Sequence, residues 1–392
     1  MTPADLSLTV LHAVRRAVGE GALRAESYVP ERVKVERPRG GGRGDYASNA
    51  ALQLAGPAAL PARRVAEILR DRLTGAPGIE AVEITGPGFL NFTLRAGTSR
   101  ELVGRVLEQG RRYGHGSALA GQVLHYHHRR EVRAAVMADA LRRLLHAQGA
   151  HVRVSCDRPD PAWAALGVTV EPEAGADPGP PPAPGPLPAP GRLPGTDPRG
   201  VSCDRPDPAW AALGVTVDAH GAPPADSAAV TPRPVTYDVH PLGRDAARWA
   251  LLRPAGRDRV LDGDGLLTQT EANGLFTVRY AHARTRALLR NAAQLGITPA
   301  YEQDVDAPRL LTALGDHPAV LEAAARHRAP DRVARHLEAT ADAFLGFQHT
   351  VLPLGDEKPS AAHRSRLALA EAAGTVLAGG LALLGISAPD YL

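Results

Sequence analysis

The stretch from Glu171 to Gly200 most constrains this chain, because eleven of its thirty residues are proline. Pro180-Pro181-Pro182 leads into alternating Pro184, Pro186, Pro188 and Pro190. Proline lacks the N–H that a ladder needs, so the stretch favours extended polyproline geometry and reads as a spacer. Composition divides the 392 residues clearly around it. A 17-residue segment flanks the spacer twice: Val154 to Val170 reads VSCDRPDPAWAALGVTV, and Val201 to Val217 repeats it letter for letter. Two copies are too few for a solenoid. Only the first follows a helix-like and a strand-like run, so the second, with Trp210, is expected to be poorly packed or to pair with the spacer.

Residues 1–115 mix helical and strand patterns, 120–170 form a short α/β piece, 171–235 are rich in Pro, Gly and Ala, and 236–392 read as helices. The expected fold class is an α+β N-terminal domain, a remnant α/β (Rossmann-like) middle segment and an all-α C-terminal helical bundle. Arginine supplies nearly all the positive charge, since lysine occurs only at Lys34 and Lys358, and the net charge is +3. That balance alone makes no argument for nucleic acid. The two cysteines, Cys156 and Cys203, make neither a disulfide framework nor a four-ligand zinc site. The N-terminus lacks a signal-peptide pattern, and no apolar run nears the length of a membrane span. A cytoplasmic protein with no membrane partner is expected. The apolar stretch Leu367–Ile386, broken by Glu371, Gly374, Gly379 and Gly380, reads as a buried helix.

In the N-terminal part, Gly44-Asp45-Tyr46-Ala47-Ser48-Asn49 opens a helix that Ser48 or Asn49 can cap. A second helix runs from Pro61 to Leu73. The run Val82–Thr85, Gly86-Pro87-Gly88, Phe89–Leu94 reads as strand, turn, strand. Alternation puts Leu90, Phe92 and Leu94 on one face and Phe89, Asn91 and Thr93 on the other. Phe89 then either packs under a loop or stands beside Asn91 away from the core. GDYASNAALQLA with EITGPGFLNFTL resembles the N-terminal additional domain of arginyl-tRNA synthetases, which approaches the tRNA elbow. The resemblance implies that Phe89 and Asn91 contact a D-loop nucleotide.

Farther on, a helix starts near Gly243 with Asp245 as a cap, and a long one spans roughly Gln269 to Leu295. Leu275, Val278, Ala281, Leu288, Ala292 and Leu295 form its apolar stripe. Arg279, Arg286 and Arg290 fall on another face, and Tyr280 and Arg284, four apart, are placed to pack ring on guanidinium. DAARWALLR, TVRYAHARTRALLRNAAQLGI, PDRVARHLEATADAF and LALLGISAPDYL are similar to the DALR-type anticodon-binding domain of the same family. The resemblance implies RNA contacts from Arg279, Tyr280, His282, Arg284, Arg286, Arg290, Arg332, Arg335, Phe344 and Phe347. Gln348 stands where the family more often has tyrosine.

The family's class I catalytic domain should lie between these modules, with its HIGH and KMSK signatures. Counting back from the helix Val132–Leu145 sets His128, Arg129, Arg130 and Glu131 over HIGH. Arg130 then replaces the glycine that lets adenine approach, and Glu131 puts negative charge where phosphates would sit. No lysine stands where KMSK would be. No catalytic residue, cofactor or metal is therefore expected; His125, His127 and His128 lack the further ligands of a metal shell. The expectation is a tRNA-binding relative, with an arginine isoacceptor as partner and a possible protein partner on the proline-rich linker. Residual arginine–tRNA ligase activity and docking on the intact synthetase remain the alternatives.

Overall fold

A computed structural model describes residues 3–24, 29–30, 33–36, 38, 44–94, 98–157, 166, 169–170, 216–217, 219–220 and 226–392. The N-terminal part holds α1 (Pro3–Gly19), β1 (Val35–Glu36), β2 (Tyr46–Ser48), α2 (Ala50–Ala55), α3 (Ala62–Leu73), β3 (Ile79–Thr85) and β4 (Phe89–Leu94). Its antiparallel sheet has the order β1-β2-β4-β3. Leu90 and Phe92 of β4 face Leu54, Val65 and Leu69 of the helices in one buried cluster. The GDYAS run expected to open a helix is strand β2 instead, since Tyr46, Ala47 and Ser48 pair with Phe92, Asn91 and Leu90. The helix begins only at Ala50, whose N–H reaches the Ser48 hydroxyl at 3.3 Å.

After α4 (Thr98–Gln109), β5 (Val123–His128), α5 (Val132–Ala147) and β6 (His151–Cys156) form a parallel βαβ unit. The sheet is completed by β9 (Ala219–His220) beside β6 and β10 (Ala228–Ala229) beside β5, in the order β10-β5-β6-β9. The duplicated segments meet at their ends: β7 (Thr169–Val170) pairs in parallel with β8 (Thr216–Val217), equivalent residue to equivalent residue. The second copy thus pairs there with the first rather than with the spacer. The rest of that copy, including Trp210, and the proline stretch lie outside the described residues.

The C-terminal part is helical: α6 (Gly243–Leu252), α7 (Gly274–Gln294), α8 (Pro308–Arg326), α9 (Asp331–Phe347) and α10 (Ala361–Leu383). Helix α7 starts at Gly274 rather than Gln269 because Asn273 caps it. Its side-chain oxygen accepts from the N–H groups of Leu275 and Phe276 at 3.1 and 3.2 Å. Helix α10 is long and apolar enough to cross a membrane, yet 78% of that window is buried inside the molecule. Its glycines serve close packing: a Cβ on Gly374 would collide with Thr285 of α7, and one on Gly380 with Leu337 of α9.

The βαβ unit and the helices share one apolar cluster, from Leu102 and Tyr126 through Trp249 to Leu377 and Ile386. Two buried arginines fasten them. Arg248 of α6 donates to the Asp139 carboxylate of α5, to Leu384 O at 2.8 Å and to Leu166 O at 3.2 Å. Arg133 at the start of α5 donates to five backbone carbonyls in residues 233–258. The N-terminal part is tied on through an Arg105–Asp5 bond of 2.7 Å and an Arg100 bond to Glu302 O.

Candidate nucleic-acid interface

Phe89 follows the Gly86-Pro87-Gly88 turn directly and is 40% exposed, although its strand neighbours Leu90 and Phe92 are fully buried. Asn91, expected beside it on an open face, is only 4% exposed. The reason lies in the sheet. Ala47 of β2 and Glu83 of β3 flank Asn91, and its amide nitrogen donates to the Thr85 hydroxyl at 2.7 Å. Asn91 thus braces the end of β3, while Phe89 offers a ring.

On α7, Tyr280 is 39% exposed and stacks on Phe276 with ring centroids 5.7 Å apart. Arg284 does not lie on that ring as expected. Its Nε donates instead to Gln348 Oε1 at 2.7 Å, which fixes that amide. The remaining cations of the stripe are engaged by the segment 387–391. Arg279 reaches the Ser387 hydroxyl at 3.4 Å and the Asp245 carboxylate at 3.6 Å, and Arg286 pairs with Asp390 at 3.2 Å. Arg290 donates to Asp390 O at 3.3 Å and lies 4.1 Å over the Tyr391 ring.

Several residues expected to touch RNA are core positions instead. His282 is 4% exposed and its Nδ1 donates to Pro389 O at 2.8 Å; burial holds its pKa below the ordinary value. Phe344 and Phe347 are buried because α9 turns that face to the bundle, so neither ring is open to a base. Arg332 is exposed, and Arg335 is ion-paired with Asp331 one turn earlier.

At the position set over HIGH, His128 is buried and its Nδ1 donates to Arg129 O at 2.9 Å, while Arg129 and Arg130 are exposed. The Glu131 carboxylate turns into the N-terminus of α5 and accepts from the N–H groups of Arg133 and Ala134 at 3.1 and 2.7 Å. Those amides are the groups that a bound anion would use. Just behind, His127 donates from Nε2 to Asp157 at 2.9 Å, its Nδ1 lies 3.0 Å from the Ser155 hydroxyl, and His125 Nε2 meets the same oxygen at 2.8 Å. Ser155 is 3% exposed, so this array orders the strand ends rather than facing a substrate. Beside it, burial raises the Cys156 thiol to about 11, which keeps it an inert thiol. Among the described residues no group of three or more His, Cys, Asp or Glu is arranged to hold a metal ion.

Residues 6–94 match the arginyl-tRNA synthetase N-terminal domain family, and 278–392 match the DALR anticodon-binding domain family. Over 557 aligned positions covering all of both proteins, the chain is 31% identical to the arginine–tRNA ligase of Frankia alni. The chain belongs to the arginyl-tRNA synthetase family. Arginine–tRNA ligase from Paenarthrobacter aurescens is 29% identical, again with both chains fully covered. Against the 557 positions of the first alignment this arginyl-tRNA synthetase relative has only 392 residues. The arginyl-tRNA synthetase of Thermus thermophilus shares its fold with a TM-score of 0.64 at 16% identity, covering 100% of each chain. That of Plasmodium falciparum aligns at 0.60 with 8% identity, covering 99% of each.

Sequence reasoning missed Arg133 and Arg248, and it missed the cover over the arginine stripe. The bonding partners of both arginines are mostly backbone carbonyls distant in the chain, which leave no mark in the local pattern.

Proposed function

We propose that this arginyl-tRNA synthetase relative binds tRNA and does not aminoacylate it. One observation carries the reading: the helix N-terminus at the HIGH position holds the chain's own Glu131 carboxylate. The charged Arg129 and Arg130 beside it, and the lack of a lysine in a KMSK context, support the same reading. Each missing electrostatic interaction with a transferring phosphate costs a few kcal/mol, so together the losses leave no useful adenylation. On the binding side, the exposed rings of Phe89 and Tyr280 stand on the two modules whose families approach the elbow and the anticodon. An unstacked base can lie on such a ring. An arginine isoacceptor is the tRNA we put first, with the cytoplasm as location and the proline-rich linker as a possible tether to a protein partner.

The relatives are ligases, so residual arginine–tRNA ligase activity is the rival. Arginine-dependent ATP–pyrophosphate exchange separates the two. We expect no exchange above background together with a tRNA gel shift that weakens steeply as salt rises. Exchange at a ligase-like rate, or no shift with any tRNA, overturns the reading.

A further inference from the structure

Residues 387–391 cross α7 in two parts that are held differently. The first part is bonded into the fold. The N–H and hydroxyl of Ser387 both donate to the Asp245 carboxylate of α6, the N–H at 3.1 Å, and the buried His282 ring donates to Pro389 O at 2.8 Å. Asp390 and Tyr391 are held by arginines at the surface instead. The Asp390 carboxylate pairs with Arg286 at 3.2 Å, the Asp390 carbonyl accepts from Arg290 at 3.3 Å, and the Arg290 guanidinium lies 4.1 Å over the Tyr391 ring. Both residues are exposed, Tyr391 to 72%. An exposed ion pair and an exposed cation–π contact each contribute little to stability. Asp390 and Tyr391 can therefore leave α7 while 387–389 stay anchored.

These two residues offer the arginines the same chemistry as a nucleotide: an anionic oxygen pair for one guanidinium and a flat π face for the next. Arg286 and Arg290 are four apart on α7 and so are neighbours, and a guanidinium both pairs with phosphate and stacks on a ring. We propose that Asp390 and Tyr391 form a displaceable strap, an intramolecular stand-in for RNA that occupies Arg286 and Arg290 until RNA takes them. The strap makes the free protein hold part of its arginine stripe closed, and every RNA that uses these two arginines must first release it. This rests on the tRNA-binding reading above.

The test measures binding of an arginine-isoacceptor transcript to the full chain at one fixed salt concentration. Four proteins are compared: the parent, the combined variant Asp390→Asn, Tyr391→Ala, and each of these with Arg286→Ala and Arg290→Ala added. Releasing the strap should tighten binding about threefold to tenfold, the worth of one exposed ion pair and one cation–π contact. The gain should vanish where both arginines are gone, because nothing is left to uncover. The conservative variant Asp390→Glu, Tyr391→Phe should bind like the parent, and all strap variants should keep its melting temperature. Equal or weaker binding by the released variant overturns the strap, as does a gain that persists without the arginines. If neither the parent nor the released variant binds the transcript, the tRNA-binding reading falls and the strap falls with it.

Discussion

Phe89 and Asn91 are two residues apart on one strand and do different work. The ring is open and the amide is closed in by two strands. Substituting Phe89→Ala should weaken tRNA binding by about 1–3 kcal/mol, the worth of one base stacked on an aromatic, and leave the melting temperature unchanged. Asn91→Ala should instead lower stability by about 0.5–1.5 kcal/mol, the net worth of its hydrogen bond to the Thr85 hydroxyl. Filter binding and thermal melting of both variants check the division; a Phe89→Ala protein that melts early but binds normally contradicts it. Alternation in the sequence placed both residues on one face correctly. It could not say that this face was covered at Asn91, since coverage comes from strands β2 and β3, whose pairing is set elsewhere in the chain.

At the scale of elements, the packing of α8 on α9 contains a ring stack. His317 lies between Tyr113 and His336, with centroids 5.9 and 5.2 Å apart. Burial lowers His336 to about 4 and His317 well below its ordinary range, where the like charges of His336 and His115 add to the effect. Unfolded, both rings titrate near their ordinary value of about 6.5. Between the two values the unfolded chain binds more protons than the folded one. Their stabilising effect is therefore complete above pH 6.5 and is lost progressively as pH falls toward 4. Melting temperature measured from pH 7 to pH 4 should fall, and the double variant His317→Leu, His336→Leu should flatten the curve. Element existence was well marked by periodicity in this region, whereas the late start of α7, set by the Asn273 cap, was not read from it. What could not be read was partnership. Arg279, Arg286 and Arg290 form the same stripe whether it faces water or residues 387–391, and only the tertiary fold decides between them.

The whole molecule bears the trace of its duplication. Removing residues 154–200 or residues 171–217 leaves one and the same 345-residue sequence, because the two copies are identical. Residues 157–170 and 218 would then join β6 to β9, enough for a parallel crossover, which needs a dozen or more. The shortened protein should therefore melt within a few degrees of the parent and bind tRNA equally well; a large loss of either would mean that the β7–β8 pairing supports the fold. The proline-rich break in composition is plain in the sequence, although that stretch lies outside the described residues. The shared core of the βαβ unit and the helices is not plain there, because Arg133 and Arg248 act on carbonyls about 80 to 140 residues away.

The segment 387–391 lying on α7 also changes what a titration with salt would count. A phosphate keeps a cloud of small cations until a guanidinium displaces them, and their release gives binding its dependence on salt. Arg286 already faces the Asp390 carboxylate. A phosphate arriving there exchanges one fixed anion for another, and the freed carboxylate gathers cations of its own. The apparent number of phosphates neutralised should accordingly be smaller than the number of arginines that the RNA touches.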